Sequence, residues 1–524
     1  MSKKLFGLLF IVLFVFSTVF SNTGVSFAEE EDTQMIRIGV VPSAEAVTVG
    51  SDGNFSITDK ETKEVLYSGT SESVQVALDS VANIQTNYRL QVAWTTSNAY
   101  VEDWLNRAEI GGYATYIEPY NNGWRLLIGE FPADAGWGER ETFRQEVIAN
   151  GLAESDSYWR LITISTGESQ LKISAENYEE IVSNPVQIES SDDLIEINGK
   201  KYRGIGEVAF NSSGTLAGIN ELPLEEYLYG VVPLELPPVP YGELEAQKSQ
   251  AVAARTYAIS GLGKRNSDGY DLLPTTSDQV YGGYEAEHSV STQAVQETTG
   301  VVATYNDNLI NAVYHSTTGG FTANNEDVWE SGPVDYLRGV PDAQRGKAFE
   351  NVPTLEVFKN SSNLKSLRAM RNGDFEADWS RYHRWHFEWT NEEISNVLSS
   401  YFNTDVGEVY EINVLERSDS GRVLEIEFVT ENGNFYEYKD RVRWALQYIN
   451  TNGTPSVLLS TLFYIEPVID NKTKELTGFE VYGGGWGHGV GLSQTGAMGM
   501  AVKGHTYDEI LKHYYQGIEL EERY

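Results

Sequence analysis

From Met35 onward apolar and polar residues alternate, as in IRIGVV, AVTVG and FSITD, with turn signals such as Asp52-Gly53-Asn54 between the runs. A period of two sets one strand face against a core and the other in water, so residues 35–80 are predicted to form a small antiparallel β unit. The pattern changes from Asn87 to Ser165. YRLQVAW and WRLITIS are strand-like, SNAYVEDWLNRAEI has helical spacing, and ATYIEPY and WRLLIGEF read as a hairpin around Asn121-Asn122-Gly123. With a second helix near Arg140 to Ala149, the predicted order is βαββαβ, a compact α+β module at 87–165.

Short strands follow between Ser190 and Leu222, and Pro223 opens a helix through Glu225, Glu226, Tyr227 and Leu228. The next stretch, VVPLELPPVPYGELE, carries four prolines, which predict a rigid loop to about Gly242 with Glu235 inside it. Glu243 to Ser260 is alanine-rich with apolar residues at helical spacing, the signature of a buried helix. Spacing alone assigns its interior Arg255 to pairing within the fold. The fold class is α+β: a β-rich domain with a few helices over 190–520, plus the small βαββαβ module.

Lys3 and Lys4 precede an apolar run from Leu5 to Phe16 and a Ser26-Phe27-Ala28 site, the layout of a cleavable signal peptide over 1–28. The run is shorter than the roughly 20 residues of a spanning helix, so no stable membrane span is expected after cleavage. A secreted location follows. The 524-residue chain has 76 acidic against 38 basic residues, and loss of Lys3 and Lys4 moves its formal charge from −38 to −40. Such a field repels nucleic acid and anionic membrane surfaces. With Cys 0 there is neither a disulfide nor a thiolate metal site.

Three segments carry candidate chemistry. TTSDQVYGGY, from Thr275 to Tyr284, is a polar loop; NAVYHSTTGGFTANNEDVW, from Asn311 to Trp329, joins a strand to a Gly319-Gly320 turn. Hydroxyls and amides suit sugar hydroxyls, and Tyr314, Phe321 and Trp329 offer faces for pyranose rings; ordinary turn chemistry explains the same composition. YGGGWGHGVGLSQTGAMGMA, from Tyr482 to Ala501, has glycines that let a ligand approach the backbone, with Trp486, His488, Ser493 and Gln494 supplying functional groups. It lacks the spacing of a phosphate cradle, His488 has no histidine at i+4, and the His383/His386 stretch RYHRWH stands alone. Neither a metal nor another cofactor is expected.

Five segments in order, PLEEYLYGVVPLELP, EAQKSQAVAARTYA, YHSTTGGFTANNEDVW, GGGWGHGVGLSQTGAMGMA and ILKHYYQGIEL, resemble the stage II sporulation protein D/LytB amidase-enhancer family. The similarity implies a peptidoglycan lytic transglycosylase acting on denuded glycan, with Glu235 of GVVPLELP as acid/base. It also implies that Arg255, Tyr257, the Ser316 to Gly320 turn and Gly487-His488-Gly489 shape the substrate groove; with Gln279, Tyr281, His315, Ser316, Thr317, Gly319, Gly320, Trp486, Ser493 and Gln494 of the three segments, these are the expected substrate-binding residues. Some relatives carry a zinc-binding cysteine pair where this chain has Leu273 and Asp278, so no metal is implied here. The module at 87–165 resembles the SPOR domain, which binds glycan stripped of stem peptides; an unrelated α+β insertion would share its element order.

One carboxylate suffices for transglycosylation, because the muramic acid 6-hydroxyl is the nucleophile and Glu235 would first protonate the leaving oxygen, then deprotonate that hydroxyl. A two-carboxylate hydrolase would need Glu326 or Asp327 within about 5–9 Å. The alternative from the LytB branch is a non-catalytic wall-binding protein with a cell-wall amidase as partner. Glycan strands are the expected ligand either way.

Overall fold

A computed structural model describes residues 33–80, 83–120, 122–166, 169–343, 375–376 and 379–524. The expected signal segment lies outside these residues. Among the described residues no helix is long and apolar enough to cross a membrane.

Strands β1 (Met35–Ala44), β2 (Ala46–Asp59) and β3 (Val65–Ser80) alternate as expected, with Ile36, Ile38, Val47, Val49, Val74 and Val76 buried. They do not stand apart. Further along the chain come β8 (Gln170–Ala175), β9 (Tyr178–Val182), β10 (Val186–Ser190), β11 (Leu194–Ile197), β12 (Lys200–Arg203), β13 (Ile205–Phe210) and β14 (Leu216–Pro223), and all join one antiparallel sheet, in the order β1-β14-β13-β10-β2-β3-β8-β9 with β11 paired to β2 and β12 to β11.

Inserted between β3 and β8 is a four-stranded antiparallel sheet with two helices. Its elements are β4 (Asn83–Thr95), α1 (Asn98–Ile110), β5 (Thr115–Tyr120), β6 (Gly123–Pro132), α2 (Trp137–Ala149) and β7 (Tyr158–Thr166), and its strand order is β5-β6-β4-β7. The helices pack one sheet face: Trp104 and Ala108 of α1 and Val147 of α2 share a core with Leu90, Leu126 and Ile128. Ser97 starts α1 by accepting from the Tyr100 N–H.

The large sheet is covered by α3 (Leu224–Glu235) and α4 (Leu244–Ser260). Ala251, Ala254 and Ala258 of α4 face this core, while Ala246, Val252 and Ala253 face a second one built from residues 303–337 and the C-terminal helices at 494–502 and 507–514. Small side chains let one helix serve both. A third core, with Trp385, Trp389, Val423 and Phe428, holds the strands between 385 and 483 and the helix Asn391–Phe402.

The prolines after Val232 do not make the predicted loop at Glu235. Helix α3 runs through Pro233 and ends on Glu235, because Val231, Val232 and Pro233 are all buried and their burial outweighs the one backbone hydrogen bond that a proline removes. The irregular stretch begins only at Leu236.

Candidate functional site

Glu235 closes α3 half-buried, and its carboxylate meets three segments distant in sequence. Oε1 accepts the Val280 backbone N–H at 2.7 Å, and Oε2 accepts Gln494 Nε2 at 3.4 Å. The Tyr314 hydroxyl is a third donor. The Val280 contact needs Gly230, where an added Cβ would lie 2.6 Å from the Tyr281 ring and 2.9 Å from the Gly283 carbonyl. A glycine there lets the 279–283 loop lie against the helix.

Gln279 orients this loop. It is fully buried, with Oε1 accepting the Tyr227 hydroxyl at 3.2 Å and Nε2 donating to the Ala254 carbonyl and to the Tyr314 hydroxyl, each at 3.1 Å. Because the Tyr314 oxygen accepts from Gln279, its own hydrogen is left to point at Glu235. Burial raises the Glu235 pKa, partly offset by the Val280, Gln494 and Tyr314 donors. The end of α3 acts in the same direction, since the negative pole of a helix disfavours an anion. A carboxyl in such surroundings, with no paired cation among the described residues, can hold a proton that an exposed glutamate would release. Replacing Gln494 by Ala is expected to raise this pKa further, because a donor to the charged form is lost; a carbon-13 NMR titration of the side-chain carboxyl in which it fell instead would contradict the assignment.

The glycine-rich segment and the Gly319-Gly320 turn face each other. Thr317 donates to the Trp486 carbonyl at 3.1 Å and Trp486 to the Thr317 carbonyl at 2.8 Å, while Tyr314 and His315 pair in parallel with Leu492 and Ser493. Ser493 is buried and caps the helix that Gln494 begins, accepting from the Gly496 N–H at 3.1 Å. Ser316 is half-buried, and its carbonyl accepts the Thr495 N–H at 3.1 Å. Trp486 is 42% exposed and lies 4.6 Å from the Tyr382 ring. His488 sits between His315 and Trp329 at 5.5 and 5.1 Å, its pKa lowered to about 4 by burial, so the imidazole is neutral near pH 7. Burial takes His315 well below its ordinary range as well.

Arg255 and Tyr281 make their contacts within the core. Arg255 is fully buried, because its guanidinium joins helices: it holds both Glu225 oxygens at 2.6 Å and the Val301 carbonyl at 3.0 Å. Tyr281 turns inward to donate to Asn220 Oδ1 at 2.8 Å. Tyr257 is half-buried, its hydroxyl 3.3 Å from Asp278 Oδ1. Leu273 and Asp278 are themselves joined, Leu273 N–H to Asp278 Oδ2 at 2.9 Å. Glu326 is held by Arg338 at 2.5 and 2.7 Å, and Asp327 accepts from Asn324 at 3.2 Å.

Sequence reasoning missed Glu376. It is fully buried and accepts from Thr318 N–H (2.7 Å), Thr318 Oγ1 (2.9 Å), Gly319 N–H (2.6 Å) and Ser493 Oγ (3.3 Å), with His383 Nδ1 at 2.8 Å. Burial alone would raise its pKa; His383 and the Thr318 donors overcome that and hold it at about 2. From the other side Arg384 and Arg422 donate to the Gly319 and Thr318 carbonyls at 2.8 and 2.9 Å. Arg422 also explains Gly489, whose φ is +85° and where a Cβ would fall 2.3 Å from the guanidinium. The isolated RYHRWH stretch, which contains His383 and Arg384, was the one hint.

The fold and these segments define a member of the stage II sporulation protein D/LytB family, and the chain belongs to it. The stage II sporulation protein family model matches residues 212–305, and a domain of unknown function, DUF8618, matches 323–491. The chain is 31% identical over 372 residues to the amidase enhancer of Bacillus subtilis (strain 168), covering 69% of this chain and 48% of that protein. It thus spans about half the length of that relative. It is 30% identical over 330 residues to an uncharacterized protein of Brachyspira hyodysenteriae (62% of this chain, 73% of that one). With stage II sporulation protein D of Bacillus subtilis it shares 28% over 323 residues (58% and 76%).

Proposed function

We propose that this is an exported wall protein that binds peptidoglycan glycan strands and cleaves them as a lytic transglycosylase with Glu235 as the single acid/base. The observation that carries this is the Glu235 environment: a half-buried carboxyl with raised pKa, held by Val280, Gln494 and Tyr314 and, among the described residues, salt-bridged to no cation. A group that must give a proton and then take one back needs that poise. Glu326, tied to Arg338 with a lowered pKa, is poorly suited to be a second acid. Incubating denuded strands with the wild-type protein should release fragments with 1,6-anhydro-muramic ends, read by mass spectrometry.

A second reading is favoured by one finding, the 31% identity to a protein named an amidase enhancer. In it the same groove holds glycan without cutting it, and a cell-wall amidase is the partner. Absence of anhydro ends from the wild type would select it.

The inserted module fits a SPOR-like role in glycan binding. Trp94, Tyr120 and Tyr158 are exposed on its strands, with Arg125 stacked 3.3 Å over the Tyr120 ring. Glu118 binds Arg125 at 3.0 Å and Arg160 at 2.6 Å beside them. Aromatic faces and fixed polar groups together suit sugar rings. Removing residues 87–165 should weaken binding to denuded strands at least about tenfold, since two tethered sites bind more tightly than one; unchanged affinity in a sedimentation assay would remove this role.

A further inference from the structure

Gln250, in α4, is fully buried, and its Nε2 has no partner among the described residues. Leaving a buried amide N–H unbonded is costly. The other end of the same amide is engaged. Gln250 Oε1 accepts Gln494 Nε2 at 3.4 Å, and that nitrogen also lies 3.4 Å from Glu235 Oε2. Glu235, Gln494 and Gln250 thus form a chain that ends on an unused donor.

The two oxygens of Glu235 differ in what faces them. Oε1 accepts the Val280 backbone N–H at 2.7 Å, and a backbone N–H can only donate. Oε2 faces a side-chain amide, whose oxygen and nitrogen are close in size and exchange places by a half-turn. With Gln494 Nε2 toward it, Oε2 is bonded as an anion, and this charge-assisted bond is the stronger of the two that the amide can make. Turned round, Gln494 presents Oε1, which accepts a proton carried on Oε2. A carbonyl oxygen has two lone pairs, so it can accept from Gln250 Nε2 at the same time, once Gln250 has turned in the same way. The donor that is unused in the first arrangement is bonded in the second, at the lesser cost of an unpaired carbonyl.

We infer that Gln494 and Gln250 form a two-state amide relay that turns with the protonation of Glu235, a donor toward the carboxylate and an acceptor toward the acid. Its purpose rests on the acid/base reading above, which it deepens: a lone carboxyl that gives a proton and takes one back has both of its forms bonded within one site. Gln250 is a positioning residue, since it is buried and acts through Gln494. Around Glu235, α4, the helix that Gln494 begins, the 279–283 loop and the strand of Tyr314 bring amides, an N–H and phenols. Burial holds Tyr314 and Tyr227 well above their ordinary range, so both phenols are neutral where a carboxyl titrates.

The test is an NMR titration of the full-length protein, with nitrogen-15 in glutamine side chains and carbon-13 in glutamate carboxyls. The Gln494 and Gln250 amide signals, assigned by their absence from Gln494→Leu and Gln250→Leu, should both shift with the midpoint of the Glu235 carboxyl. In Glu235→Gln neither should move. A Gln250 signal that is still across that midpoint, or that moves in Glu235→Gln as well, would overturn the relay. Gln250→Leu should lower the release of anhydro ends about tenfold while denuded strands bind within about twofold of wild type. Release at the wild-type rate, or an equal loss of binding and release, would also overturn it. A wild type that releases no anhydro ends would overturn the transglycosylase reading, and the titrations would still decide the relay.

Discussion

Glu235→Gln is expected to lower the release of anhydro-muramic ends by at least about a hundredfold while denuded strands still bind within about twofold, because a positioned acid/base contributes roughly 10²–10⁴ to rate. Glutamine keeps the shape and can still accept the Val280 N–H, so the loop contact that seats the side chain survives. Proton transfer is lost, together with the weak 3.4 Å donation from Gln494 to Oε2. The wild-type rate should also depend on pH in a defined direction. The acid form starts the reaction, and burial raises its pKa, so activity should persist above the ordinary glutamate range and fall as pH rises through the elevated value. Mass-spectrometric end counts across a pH series measure both effects. A variant as active as the wild type would exclude Glu235 as the acid.

Glu376→Gln is expected to cost roughly 3 kcal/mol at pH 7, the value of moving a carboxyl from 4.5 to about 2 at about 1.4 kcal/mol per pH unit. The amide keeps one acceptor and sets an NH₂ against the donors at either Thr318 or Gly319. For a depressed carboxylate, the stabilisation is fully present above the unfolded pKa and is lost as pH falls through the folded one. The difference between wild type and variant should therefore shrink from pH 7 toward pH 3, where about 1 kcal/mol remains. Urea midpoints at the two pH values test this; a gap that does not change with pH would show that the charge of Glu376 is not what holds the turn.

What was legible in the sequence was local. The helix from Glu243 to Ser260 was marked by its alanines and the inserted βαββαβ order by its changing periodicity, and both elements stand where the pattern placed them. Pro233 misled because proline content argues only about backbone bonds, whereas burial of its neighbours decided the helix. Arg255 carried two incompatible expectations, and complete burial beside Glu225 favours pairing. Glu376 was invisible for another reason. Apart from His383, its partners lie 57, 58 and 117 residues away, so little near it in the chain distinguishes it from the other acids.

The place where the module enters the large sheet has its own consequence. Strands β3 and β8 are hydrogen-bonded neighbours, with Ser80 opposite Gln170 and Gln75 opposite Ser174. The host therefore treats everything between them as the bend of a hairpin, whose ends are already zipped and need no further loop-closure entropy. A two-residue turn would satisfy the same strands. Such a bend is an open socket: the sheet accepts, loses or exchanges a whole α+β unit there without any change in its own register.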